Sequence, residues 1–459
     1  VNATVGQRQP PSRPAASTAK RWRNLSRAGA LVAAGALLSP WLAATEWPQL
    51  VPAASAWVAL CTTVALRRVE SVFLVAGLLA ATLALPWRRW FCRWGCPVGL
   101  CADAASRIGR GLGCRSRSMP PLGQWLAIAT LGGSVVGYPL LLPADPLAML
   151  AAFFGLLAWP VSTGAIYAAL ALPLVCLLSV LVPGLWCGRI CPLGATQDIL
   201  WQSGILLRRL PAATIAVAGR GSAGSQSTVP PGLIPAESIP PADLPAAGHP
   251  FTLADGAQAD AGQTTGAADG WPLARRTAIG TLIGLFCASL VRQAARAESV
   301  RIRPPSARPE ADFLGLCIRC GNCARACPTK IITPDSSPPS LAALLAPVVS
   351  FSAGYCREDC RACTEVCPTG AIAPLPGGDK LAAPLGIARV DMSLCLLGDD
   401  RECFVCRNCC PFQAIRLVFC EETYQLTPQI DRQRCPGCGA CQLACPVTPK
   451  KAIVVYPLG

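Results

Sequence analysis

The sequence predicts a chain in two parts. An α-helical polytopic membrane domain, with four spans and a fifth anchor or signal helix, is joined to a cysteine-rich α+β domain. Three observations carry this prediction. The 459 residues are 52% hydrophobic and only 14% charged, more apolar than an ordinary soluble protein. Apolar stretches near the ~20 residues that cross a bilayer recur through the first part. In the last third, sixteen of the chain's 27 cysteines fall into four runs that each end in Cys-Pro.

Residues 1–26 form a basic N-terminus, and residues 27–205 the membrane domain. The expected spans are about 27–45, 69–88, 121–142 and 161–186. Residues 50–66 are also apolar, but they contain Pro52 and end at Arg67-Arg68. They read as an interfacial or re-entrant piece, with a fifth early span as the alternative, and 147–159 is a similar short piece. Arg88, Arg89, Arg93, Arg107, Arg110, Arg115 and Arg117 follow the second span, and Arg189, Arg208 and Arg209 follow the fourth. Arginine-rich loops stay inside the cell, so both ends of this unit should be cytoplasmic, with 46–66 and 143–160 facing outward.

Two cysteine pairs sit at the cytoplasmic ends of the second and fourth spans: Cys92 and Cys96 before Pro97 and Gly99, and Cys187 and Cys191 before Pro192 and Gly194. The shared C-x3-C-P pattern reads as an internal repeat. Four thiols at one membrane depth suit a further cluster, another metal or redox-active dithiols; the plain alternative is two tight turns. Cys101 and Cys114 lie close enough in the chain to substitute, whereas Cys61, Cys176 and Cys287 read as buried small hydrophobes.

Residues 206–270 are rich in Ala, Pro, Gly and Ser, the composition of a disordered linker. Residues 271–298 carry Arg275-Arg276, an apolar run from Thr277 to Val291 and the sequence Ala295-Arg296-Ala297. That order is typical of a cleaved export signal, and the twin arginine resembles the leader of proteins that fold before export. An uncleaved anchor is the alternative. Both readings put residues 299–459 outside the cytoplasm; a fully cytoplasmic tail is the third.

The tail carries the clearest chemistry. Its runs are Cys317, Cys320, Cys323 and Cys327; Cys356, Cys360, Cys363 and Cys367; Cys395, Cys403, Cys406 and Cys410; and Cys435, Cys438, Cys441 and Cys445. The first and last have the C-x2-C-x2-C-x3-C-P spacing of bacterial ferredoxins, whose fourth cysteine commonly serves a second 4Fe–4S cube. Gly321 and Gly439 let the backbone turn tightly beside a cofactor. Zinc sites show separated cysteine pairs instead, and disulfide scaffolds are short secreted chains. Four 4Fe–4S clusters in a bacterial-ferredoxin-like fold are therefore expected. Neighbouring runs could share ligands, or the outer two could pair around the inner two. Of the adjacent Cys409 and Cys410, only Cys410 keeps the x3 interval and the following Pro411. Cys420 reads as a buried structural cysteine.

Other chemistries have little support. The formal charge of +15 comes from arginines beside apolar stretches, which fits membrane flanks better than nucleic-acid binding. The single histidine, His249, lies in the linker, and no C-x-x-C-H site occurs, so haem is not expected. Nucleotide-binding glycine signatures are missing as well.

Residues 20–205 resemble the NapH type of membrane ferredoxin, related to the membrane part of NosR, through the four expected spans and the pairs Cys92/Cys96 and Cys187/Cys191. Residues 272–459 resemble the NapG/MauM type of periplasmic ferredoxin. That likeness rests on the twin-arginine leader, Ile302-Arg303-Pro304-Pro305 and the wide interval from Cys395 to Cys403. The resemblance implies a fusion of the two types in the bacterial inner membrane. It would pass electrons between quinone or quinol and a periplasmic redox enzyme or cytochrome, as an electron carrier rather than a substrate-converting enzyme. One departure stands out: NapH-type proteins carry two cytoplasmic ferredoxin runs after the fourth span, where this chain has its linker. The rival readings are an assembly factor for a periplasmic metalloenzyme, and a redox sensor.

Overall fold

The computed structural model describes residues 15–117, 119–157, 161–220, 273–296, 301–338, 340–399, 401–422 and 424–458. Most of the expected linker, with His249, and the cleavage position at Ala297 lie outside them. Among the described residues, two helices are long and apolar enough to cross a membrane, Thr163–Leu181 and Arg275–Arg296. A third crossing arises only if Trp47–Ala53 and Ala56–Leu66, bent by 95° where they meet, count as one. Such a bend belongs to a broken span or a re-entrant loop. It falls just after Pro52, where Ser55 starts the second helix by accepting the N–H of Val58.

Three of the four expected spans are therefore shorter than their hydropathy suggests. The first is the end of a helix, Ala15–Leu37, which carries Lys20, Arg21, Arg23 and Arg27 up to its middle and gives way to a turn at Pro40–Leu42. The second is the 11-residue helix Leu74–Ala84, and the third is the 14-residue helix Leu122–Val135. At 1.5 Å per residue these measure about 17 and 21 Å, less than the ~30 Å hydrocarbon core. Gly137, at φ +78°, turns the chain just beyond the third. At the other end of the membrane half, a single helix runs from Pro192 to Arg220, past residue 206 where the linker was expected to begin.

The helix Arg275–Arg296 packs against Leu122–Val135 through small residues. A Cβ on Gly284 would strike the carbonyl of Ala129, and one on Gly132 would lie 2.7 Å from the carbonyl of Thr281. Close backbone approach of this kind is how helices associate where no hydrophobic force separates them from lipid.

Among the described residues, the tail is built from short helices and three antiparallel two-stranded sheets. Ile332–Pro334 pairs with Pro347–Val349, Ile387–Val390 with Ile453–Tyr456, and Ile415–Cys420 with Gln425–Ile430. The first two cysteine runs are enclosed by a bridge between Ala307 and Ile372. The last two lie between the paired strands Ile387–Val390 and Ile453–Tyr456. Arg303, 6% exposed, anchors the first module. Its guanidinium donates to both carboxylate oxygens of Glu310 and to the carbonyl of Pro347 at 2.8 Å, and it lies over the ring of Phe313. Breaking a buried pair of this kind costs about 3–5 kcal/mol.

The tail sits on the two segments expected to face outward and on the start of the expected second span. Glu70 pairs with Arg308 at 3.1 Å, Gln49 donates to the carbonyl of Glu365, and Arg325 donates to the carbonyl of Ala151. Ile318 and Cys320 join the core of the membrane half. Gly164, near one end of the span Thr163–Leu181, lies against Pro334, while the other end of that span leads to Cys187 and Cys191. The tail and these cysteines thus meet opposite ends of one helix, about 28 Å apart at 1.5 Å per residue. A Cβ at Gly164 would collide with the carbonyl of Pro334. Gly164→Val is expected to weaken the docking by about 1–3 kcal/mol, read as faster amide exchange across Ile332–Val349. Unchanged exchange in that segment would contradict the docked arrangement.

Candidate iron–sulfur sites

The first run begins where helix Glu310–Leu316 stops. Cys317 ends it with extended backbone, and its N–H bonds to the carbonyl of Phe313 at 2.9 Å. Gly321, at φ +74°, then starts the short helix Asn322–Ala326, which Cys327 closes. The fourth run repeats this design, with Gly439 at φ +82° starting Ala440–Ala444 and Cys445 closing it. Any side chain at Gly439 would also collide with the ring of Phe351, so both conformation and contact demand glycine there.

Three cavities are each lined by four cysteines, and in each the fourth comes from a neighbouring run. Cys317, Cys320 and Cys323 share a cavity of about 500 Å³, counting space open to solvent, with Cys367 of the second run. Cys356, Cys360 and Cys363 share one of about 340 Å³ with Cys327 of the first. Cys435, Cys438 and Cys441 share one of about 310 Å³ with Cys410 of the third. The walls are apolar, including Phe313, Leu345 and Val366 in the first, Ile331, Val349 and Leu385 in the second, and Phe412, Ile415 and Val455 in the third. Neighbouring runs thus exchange cysteines, and the alternative in which the outer runs pair is not what the structure contains.

A fourth group consists of Cys395, Cys403 and Cys406, near enough for the first two to act on the thiol of Cys406. Cys445 is buried beside Cys409 in the same apolar core. Cys409 itself donates to the carbonyl of Cys406 at 3.4 Å and does not line the third cavity. Cys420, expected to be buried, is half-buried at the end of a hairpin strand.

The donor set fits cubane clusters. Backbone N–H groups point at the sulfurs: Ile372 at Cys367 Sγ (3.4 Å) and Ala414 at Cys410 Sγ (3.3 Å). Such bonds tune cluster potentials. Burial pushes the thiols of Cys320 and Cys438 up to about 12 and that of Cys406 to about 11. Among the described residues, no three Cys, His, Asp or Glu side chains close on a single-ion site.

The membrane pairs form a second constellation. Each motif closes with the same turn, Cys96 N–H to Phe91 O at 2.9 Å and Cys191 N–H to Trp186 O at 2.8 Å. In each, the second cysteine then caps the following helix, Cys96 Sγ accepting from the N–H of Gly99 and Cys191 Sγ from that of Gly194. The four thiols are mutual neighbours. Burial raises Cys92 to about 11, partly offset by the Arg89 guanidinium, and Cys187 to about 12. Gln197 donates to Cys92 Sγ at 3.2 Å, Arg89 to Cys187 O at 3.0 Å and Arg27 to Cys92 O at 2.7 Å. Asp198 holds Arg88 and Arg89. Cys101 faces Cys176 instead, and both are half-buried, as are Cys114 and Cys287, while Cys61 is buried.

Sequence reasoning passed over the polar residues around the sulfurs. Arg325, 4% exposed, lies inside the first run, and Lys380, 1% exposed, reaches Cys356 from a loop seventeen residues past Cys363. The position of Arg325 within a ligand loop was a usable signal; for Lys380 and Gln197 there was none.

Comparison with known proteins agrees with this geometry. A family model described as a 4Fe-4S dicluster domain matches residues 316–371, which contain the first two runs. Another, described as a 4Fe-4S binding domain, matches 69–114 and 165–211, each stretch holding one C-x3-C-P motif. The chain is 35% identical over 196 residues to the methylamine utilization ferredoxin-type protein MauM of Methylophilus methylotrophus, a match covering 40% of this chain and 82% of that protein. It is 31% identical over 197 residues to MauM of Methylobacillus flagellatus, covering 40% and 80%. With the ferredoxin-type protein NapG of Escherichia coli it shares 32% identity over 196 residues, covering 39% and 79%. No solved structure matches. The chain belongs to the family of ferredoxin-type iron–sulfur proteins that includes MauM and NapG.

Proposed function

We propose that this protein is a membrane-anchored electron carrier of the inner membrane, linking the quinone pool to a periplasmic oxidoreductase or cytochrome. Its membrane half is then of the NapH type and its tail of the NapG/MauM type. One arrangement carries the reading: the cysteine-lined cavities lie in a row. The first adjoins the membrane half through Ile318 and Cys320. The second shares the first module with it through the exchanged Cys327 and Cys367. The N–H of Cys356 donates to the carbonyl of Cys438 at 2.8 Å, joining the second cavity to the third. The third exchanges Cys410 with the last group, whose Cys395, Cys403 and Cys406 are half-exposed.

In this reading, the sixteen tail cysteines hold four 4Fe–4S cubes, with Cys445 completing the last set by the same exchange. Bound cubes supply one-electron transfer, while the chain supplies their order, spacing and surroundings. Cys92, Cys96, Cys187 and Cys191 hold a fifth group between two helix N-termini. The arginines flanking that quartet support a cytoplasmic position for it, and the tail at the opposite end of Thr163–Leu181 is then periplasmic. The close packing of Arg275–Arg296 against the bundle favours a retained anchor over a cleaved leader.

Exchanged ligation makes an unusual demand on mutants. Cys317→Ser and Cys367→Ser should abolish the same paramagnetic signal although fifty residues separate them, and Cys327→Ser and Cys356→Ser should abolish another. Signals that group by run instead would contradict the exchange. Cys92→Ser or Cys191→Ser should remove about four irons per chain and leave the tail signals intact; unchanged iron would remove the fifth group. A reporter joined after residue 298 should be active in the periplasm and lose that activity on Arg275→Lys with Arg276→Lys. Cytoplasmic activity of the unmodified fusion would end the transmembrane route.

A further inference from the structure

We infer that Lys380 is a positioning residue that sets the reduction potential of the group held by Cys327, Cys356, Cys360 and Cys363. The inference rests on the ligand reading above and adds a residue that no spacing rule points to. Lys380 is 1% exposed, and its ammonium donates to Cys356 Sγ at 3.1 Å and to the carbonyl of Arg357. Among the described residues, no carboxylate lies within ion-pair distance of it. A buried ammonium without a counter-ion is costly. An anionic cluster ligated by four thiolates would supply the missing charge.

The loop around it is built to hold that position. Asp379 accepts the N–H of Leu381 at 2.8 Å and so starts the turn Lys380–Ala382. Leu385, five residues on, lines the same cavity and donates its N–H to the carbonyl of Pro436 at 2.8 Å. The ammonium therefore arrives from outside the ligand loops, at the junction where Cys356 meets Cys438.

The physical consequence has a definite sign. Reduction adds one electron to the group, with no bond to carbon, sulfur or hydrogen made or broken. A fixed positive charge hydrogen-bonded to a ligand sulfur stabilises the added electron, so it raises the potential. The second cavity then takes electrons more readily than its sulfur ligands alone would dictate, midway along the row.

The test uses full-length protein purified anaerobically in detergent, as wild type and as Lys380→Gln, Lys380→Met and Lys380→Arg. Redox titration is followed by electron paramagnetic resonance, with Cys356→Ser identifying which signal belongs to this cavity. In the Gln and Met variants, iron content should hold while the reduction equilibrium constant of that signal falls at least about tenfold, about 59 mV for one electron. The Arg variant should stay near wild type. A Gln variant with full iron and unchanged potential would overturn the inference. So would loss of this group's iron from the Gln, Met and Arg variants alike, which would make Lys380 a prop for the loop. A wild-type protein without any Cys356-dependent signal would sink the ligand reading together with the inference, whereas an unchanged Gln titration sinks the inference alone.

Discussion

Each of the three cysteine-lined cavities is surrounded only with the help of a cysteine from a second run, and the architecture of the tail follows from that need. Three thiols on one tight loop reach one side of a cavity. The Cys-Pro that ends each run turns the chain away, which carries the fourth cysteine toward the neighbouring site. Two runs must therefore face each other closely. In the first module the Ala307–Ile372 bridge and the pairing of Ile332–Pro334 with Pro347–Val349 hold them so. In the second, the strands Ile387–Val390 and Ile453–Tyr456 do the same. Because a cluster needs ligands from both runs, its binding and the folding of the module are one process.

The same exchange explains the linear order. Within the first module, two cavities share the segments between a third and a fourth cysteine. Between modules, the Cys356–Cys438 backbone contact takes over that role. Burial changes along the row. The end near the helical bundle is enclosed by Phe313, Val366 and the bundle itself, while the far end, around Cys395 and Cys403, is half-exposed beside the exposed Phe404. Buried cations lie beside the first two cavities, with Arg303, Arg325 and Lys380 all under 10% exposed. A row that begins buried against the helical bundle and ends near water suits an electron carrier that meets its partner at the exposed end.

What could be read from the sequence followed the range of the interactions involved. Cysteine spacing is local, so the four runs, the glycines at 321 and 439, and the position of Cys410 at its cavity were legible from chain intervals alone. The choice of pairing was not, because it depends on strands and bridges far apart in the chain. Hydropathy identified the span Thr163–Leu181 and the apolar helix after Arg275. It overstated three others, since a window of apolar residues does not register the turn at Pro40 or the left-handed Gly137. Pro52 did signal the bend near residue 54. Lys380 left no trace, as a lysine in a Gly-rich loop reads as solvated until its burial is known.

The account stands on cubane iron–sulfur groups arranged as neighbours. Mössbauer spectroscopy of the full-length protein, purified anaerobically from iron-57-enriched cells, addresses that claim most directly when paired with magnetic resonance of the fully reduced state. All bound iron should appear in cubane environments, and the reduced protein should show spin coupling between adjacent clusters. Isolated tetrahedral iron, zinc in place of iron, or reduced cubanes that behave as magnetically independent centres would contradict it.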